Sequence, residues 1–152
     1  MKAVIQRVLS ASVTVGERTV GAIDRGLLVF VGVERGDGPA DVQHISSKVR
    51  DLRVFDDPET SKGFDRPVAE AGGAVLVVSQ FTLAADCRKG RRPSFDDAAP
   101  PQVAKPLYDD VVRELRASGL TVETGEFQAM MRVALVNDGP VTLWLDSKKG
   151  NR

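Results

Sequence analysis

Apolar and polar positions change period several times along the 152 residues, and each change marks an element. Residues 3–15, AVIQRVLSASVTV, are rich in β-branched side chains and partly alternate, which predicts a strand. GER turns the chain into a second strand, TVGAI. DRG turns it into LLVFVGV, an unbroken apolar run suited to a strand covered on both faces. After the loop ERGDGP the period lengthens. Val42, Ile45, Val49 and Leu52 recur at spacings of three and four within residues 40–55, which predicts an amphipathic helix packed on a sheet. Residues 56–67 are polar, with Gly and Pro, and read as a loop. Residues 72–86, GGAVLVVSQFTLAAD, are the most strand-like stretch, and CRKGRRPSFDDAAPP is a basic, then acidic, surface loop.

Val103, Leu107, Val111 and Leu115 outline a second helix, with Gly119 as its stop. Pro106 falls inside that pattern. Proline is tolerated best in a first turn, so the regular helix is expected to begin close to it. LTVET is a short strand. The last two strands are FQAMMRVALVN and PVTLWLDS. Between them Asn137, Asp138, Gly139 and Pro140 read as a turn with an ill-placed proline, which cannot donate to a ladder. SKKGNR is a polar tail expected to fray. Strands, helix, strands, helix, strands in this order predict an α+β fold, with a mainly antiparallel, barrel-like sheet and two principal helices packed on it.

A chain of this length reads as one domain over residues 1–152, with enough core to need no staple. Its 21 basic and 21 acidic residues cancel, so any nucleic acid must be met by a local patch. Cys87 is the only cysteine, which excludes an internal disulfide and fits a reducing compartment. Gln6, Arg7 and Ser10 interrupt the apolar N-terminal run, which is neither a secretory signal nor a membrane span. The chain reads as cytoplasmic, with no membrane and no DNA partner.

The lone histidine, His44, lies off the apolar stripe and reads as a solvated helix residue. Nothing accompanies it to build a zinc site. Neither a Walker loop nor G-x-G-x-x-G after a strand is present, so no cofactor and no metal are expected. Cys87 stands beside four cations, which favour a thiolate, but a bystander in a basic loop is the plainer reading. Arg88, Lys89, Arg91 and Arg92 themselves are either a solvated loop or a phosphate-binding patch. SQFTL ends an apolar strand yet sets Ser79, Gln80 and Thr82 around Phe81. It is either a strand end with a polar outer face, or a place where hydroxyls, an amide and backbone N–H groups converge on the oxyanion of an acyl transfer.

Together MKAVIQRV, GLLVFVGV, VLVVSQFTLAAD, KGRRPSF, TGEFQAMMRVALVNDGPVT and LDS resemble the bacterial and eukaryotic type of D-aminoacyl-tRNA deacylase over almost the whole chain. SQFT and NDGPVT in this order form a specific pair. The resemblance implies hydrolysis of the ester between a D-amino acid and the 3′ end of tRNA, with no cofactor, in a homodimer whose active sites lie at the subunit interface. It implies that Gly139-Pro140 is a cis peptide reaching into the partner's pocket. It assigns Ser79, Gln80, Phe81 and Thr82 to catalysis, and Gly139, Pro140, Arg7, Asn137 and Met130 to the substrate. Arg88, Lys89, Arg91 and Arg92 become contacts for tRNA phosphates. A backbone wall close to the substrate α-carbon would reject L side chains and accept any D side chain, and it would leave glycine unrejected.

An aminoacyl ester is already activated, so positioning and an oxyanion site suffice. The amides of Phe81 and Thr82 are the candidates, with water assisted by the substrate's own 2′-hydroxyl. Thr82 as a nucleophile lacks an evident base. A non-catalytic RNA-binding module and a Cys87 hydrolase are the competing readings. Three departures touch the pocket rim. Gln128 stands where the family usually has glycine, Cys87 where it often has threonine, and SKGFDRPV replaces an asparagine-rich loop.

Overall fold

The structure, a computed structural model, describes residues 1–149. Eight principal elements follow the chain: β1 (Lys2–Val15), β2 (Arg18–Ile23), β3 (Gly26–Gly32), α1 (Pro39–Asp51), β4 (Ala74–Ser79), α2 (Pro101–Ala117), β5 (Val122–Thr124) and β6 (Arg132–Asp146). The sheet runs β2-β1-β3-β4-β5, with β6 on the other edge of β1. β1 pairs antiparallel with β2, β3 and β6. The β3–β4 and β4–β5 ladders are parallel. The sheet is therefore mixed, with the antiparallel part built around β1.

β3 is central and covered on both faces, as its unbroken apolar run predicts. Leu27, Val29 and Val31 face the core shared with the helices. Leu28 faces a second cluster with Val8, Ala11, Val13, Ile23, Leu76 and Val78, inside the curl of the sheet. The curl nearly closes where β2 crosses β5. A Cβ on Gly21 would lie 2.3 Å from the Thr124 carbonyl oxygen, so only glycine permits that approach.

The first helix buries Val42, Ile45 and Val49 as its spacing predicts. It ends at Asp51, earlier than residue 55, and Phe55 is instead fully buried in a bridge to Arg66. The second helix departs more. It begins at Pro101, so Pro106 sits inside it rather than near its start. Pro106 and Gln102 are both exposed, so the carbonyl that loses its helical donor can be hydrated. The buried stripe is Ala104, Tyr108, Val111, Val112 and Leu115, whereas Val103 is 45% exposed.

The tail is partly fastened. The Met1 ammonium, fully buried, donates to Asp37 Oδ1 (2.7 Å) and Ser147 Oγ (2.8 Å). Ser147 Oγ donates to Asp41, and Lys148 Nζ also reaches Asp41. The rest of the predicted frayed tail, residues 150–152, lies outside the described residues. No described helix is long and apolar enough to cross a membrane.

Candidate active site

β4 carries the first motif. Val75–Val78 are buried and Ser79 is half-buried. The Gln80 amide still donates to Val31 O at 2.8 Å. Beyond it the strand does not continue as expected; Phe81–Ala84 form a 3₁₀ turn. Its first amides, those of Phe81 and Thr82, have no acceptor inside the turn. Gln80 Nε2 donates to Thr82 Oγ1, the only hydrogen bond of that hydroxyl among the described residues. Among the described residues no carboxylate or imidazole hydrogen-bonds to it, so none is engaged as a base for Thr82.

The second motif corrects the predicted turn. Residues 132–146 are one strand, paired with β1 on both sides of the Gly-Pro step. Asn137 pairs with Val8 and Thr142 with Gln6, leaving residues 138–141 without cross-strand partners opposite Arg7. The chain bulges rather than reverses. Gly139-Pro140 is cis, Gly139 has φ +120°, and both residues are exposed.

Two side chains hold the bulge. Asn137 Nδ2 donates to Arg7 O (2.9 Å) and Val141 O (3.0 Å), closing it across its base. Arg7 is buried, 8% exposed. Its guanidinium Nε donates to Asp138 O (3.3 Å) and lies 3.3 Å from Asp138 Oδ2. Its Nη1 donates to Val54 O (2.7 Å) and reaches Asp56 (3.5 Å). Arg7 thus fastens the residue before Gly139 to the segment following α1. Asp138, Val54 and Asp56 complete this anchor. No local sequence signal announces them, because the contacts join distant segments.

Met130 is 92% exposed. Gln128, two residues earlier, adopts φ +64°, the left-handed region in which glycine is unstrained. That conformation is a physical reason for glycine at this position. Beside the end of β4, a groove of about 530 Å³ runs between α2 and residues 124–127. Val77 O at its edge accepts both Tyr108 Oη (2.9 Å) and the Gly125 amide (3.0 Å). Burial pushes the Tyr108 phenol well above its usual range, so it stays a neutral donor. The pattern of helical spacing did not single out Tyr108 or Phe127.

The basic loop is a hairpin closed by reciprocal Asp86–Ser94 backbone bonds of 2.8 and 2.9 Å. Arg88 folds back onto Asp86 through 2.9 and 2.6 Å bonds. These bonds from Arg88 hold the Asp86 carboxyl well below the usual range. Arg88 therefore braces the hairpin. Lys89, Arg91 and Arg92 are exposed and form no ion pair among the described residues. Cys87 is exposed beside them. His44 is half-buried on α1.

A family model described as D-Tyr-tRNA(Tyr) deacylase matches residues 4–146. A D-aminoacyl-tRNA deacylase of Syntrophotalea carbinolica is 58% identical over 149 residues, 98% of this chain and 99% of that protein. One of Thermotoga petrophila is 56% identical over 149 residues, again 98% and 99%. A solved structure named c-Myc DNA Unwinding Element Binding Protein superposes with a TM-score of 0.90 at 40% identity, covering 96% of this chain and 98% of the other. Another, of a probable eukaryotic D-amino acid tRNA deacylase, shares the fold with a TM-score of 0.80 at 18% identity, covering 95% and 97%.

Proposed function

The chain belongs to the D-Tyr-tRNA(Tyr) deacylase family, and from that premise we propose that it hydrolyses the ester of D-aminoacyl-tRNA in the cytoplasm, as a homodimer. Chirality is read by the Gly139-Pro140 backbone of one subunit, set against the Gln80–Thr82 turn of the other. The observation that carries this reading is the separation of the two motifs within one chain. The bulge lies on β6 opposite Arg7, and Arg7 pairs with Leu27 of β3, which pairs with Val75 of β4. From there Ser79 is four residues further along β4. Three inter-strand spacings and four strand residues amount to about 19 Å over the sheet. A separation of this order over the sheet supports a gate supplied by a second copy.

The exposed surface supports such a pairing. β6 is an edge strand, and Leu9, Val136 and Trp144 on β1 and β6 are each more than half exposed. A long edge flanked by apolar side chains invites a second copy. Arg7 and Asn137 act as positioning residues that keep the wall stiff, and Met130 lies on the rim. The wall excludes an L side chain and leaves D side chains outside, so many D-amino acids are accepted. Glycine offers nothing to exclude, and glycyl-tRNA, including that mischarged on the tRNA for alanine, is cleaved too.

In the chemical step, water attacks the ester carbonyl carbon. The substrate's 2′-hydroxyl accepts the water proton and passes a proton to the departing 3′-oxygen as the acyl C–O bond breaks. The amides of Phe81 and Thr82 stabilise the oxyanion. Ser79 and the Gln80–Thr82 hydrogen bond orient the turn. Lys89, Arg91 and Arg92 meet phosphates, with Arg88 bracing their hairpin. The test is incubation with D-Tyr-tRNA and with L-Tyr-tRNA, without added metal. Rapid release of D-tyrosine alone is expected; equal rates, or cleavage of neither, overturn the reading.

A further inference from the structure

The ring of Phe81 is 59% exposed although its residue opens the catalytic turn. The ring of Phe95, 39% exposed, meets it at 5.2 Å with an interplanar angle of 66°. In the single chain, two adjacent phenyl rings open at the mouth of a site are an unusual use of apolar surface. Their placement is fixed from both sides. The Asp86–Ser94 bonds close the hairpin immediately before Phe95. Beyond it, Arg35 Nε donates to Asp96 O (2.7 Å) and the Arg35 amide donates to Asp97 O (2.9 Å), tying the return segment to the loop after β3. The same hairpin carries Lys89, Arg91 and Arg92 at its tip, with no acid engaged to them among the described residues.

Open aromatic faces beside unpaired cations are what a single-stranded nucleic acid requires. A base stacks on a ring, and the phosphates on either side meet the cations. Moving outward from the turn, the order is reacting centre, ring pair, cationic tip. We propose that Phe95, with the outer face of Phe81, is a stacking platform for an unpaired nucleotide on the 5′ side of the esterified adenosine. Lys89, Arg91 and Arg92 hold the adjoining phosphates. This rests on the deacylase reading and adds to it a specificity element: the enzyme grips a single-stranded RNA end and not only the terminal nucleoside. Rings preset at this angle lose little freedom on binding.

The experiment compares three D-tyrosyl esters, of adenosine, of the trinucleotide CCA and of full tRNA, with wild-type protein and with Phe95→Ala and Phe95→Tyr. A stacked base is worth about five- to hundredfold. Phe95→Ala is therefore expected to raise KM about tenfold for the trinucleotide and the tRNA, with kcat within about twofold and the adenosine ester affected far less. Phe95→Tyr, which keeps a ring, is expected to restore KM. In the Arg91→Ala/Arg92→Ala double variant, the salt dependence of KM for tRNA becomes shallower. Equal loss on all three esters, or no loss on any, overturns the platform. A wild-type protein that cleaves none of the D-esters instead overturns the deacylase reading, so the two failures are distinct.

Discussion

Asn137→Ala isolates the clamp from the wall it supports. The side chain makes two hydrogen bonds, to Arg7 O at 2.9 Å and Val141 O at 3.0 Å. Both acceptor residues are buried. Removing the donor leaves two poorly hydrated carbonyls, at about 1–1.5 kcal/mol each, so about 2–3 kcal/mol in total. For a domain of this size that lowers Tm by roughly 5–10 °C. Arg7 still holds Asp138, so the chain folds, but residues 138–141 gain freedom at one end. Exclusion by contact fails when the wall can retreat by an ångström. The ratio of D-Tyr-tRNA to L-Tyr-tRNA cleavage is expected to fall at least tenfold, mainly through a faster L reaction. Val49→Ala on α1, which creates a core cavity of about the same cost, supplies the stability control and keeps the ratio. The reasoning is refuted if Asn137→Ala melts lower but discriminates as well as the wild type.

Three further outcomes are expected. Burial works against ionisation of Asp41, but hydrogen bonds from Ser147, the Gly38 amide and Lys148, with the Met1 ammonium nearby, hold its pKa down to about 2. A lowered carboxylate pKa stabilises the fold above the unfolded value and loses that contribution as pH falls through the folded one. The gap between wild type and Asp41→Asn in urea melts is therefore about 2 kcal/mol at neutral pH and shrinks between about pH 4 and 2; a constant gap contradicts the pairing. Gln128→Gly relieves a left-handed residue at about 1–2 kcal/mol and costs about half of that in chain entropy, so Tm rises by roughly 2–4 °C; a lower Tm argues against strain at φ +64°. Cys87→Ala is expected to retain full activity on D-Tyr-tRNA, whereas inactivation would revive a cysteine nucleophile.

Periodicity was most informative where contacts are local. The runs of β3 and β4 and the stripe of α1 follow from spacing alone. The start of α2 does not, because Pro106 is tolerated through the solvation of its neighbour Gln102. NDGP divides β6 in the sequence pattern, since those residue types mark turns wherever nothing else intervenes. Here the strand resumes because the register with β1 continues past Arg7 and because Asn137 bridges across, both long-range facts. SQFTL likewise departs from strand geometry where its ladder with β3 ends. The Arg7 anchor on Val54 and Asp56, and the Asp37–Asp41 cluster, join segments far apart in sequence. Gln128 was legible only as a departure from the family pattern, and its φ supplies the physical meaning.

Subunit mixing tests the shared site most directly. Gly139→Ala places a Cβ 2.8 Å from Arg7 Nη2 at φ +120°, so it disturbs the wall. Gln80→Ala disturbs the turn. Each variant alone is expected to have lost at least tenfold of the D-selective activity. Mixed and allowed to exchange, half of the dimers carry one of each, with both lesions in one site and neither in the other. Activity on D-Tyr-tRNA should then return to about a quarter of the wild-type level. If exchange is complete by native mass spectrometry and no activity returns, the gate and the turn do not come from different subunits.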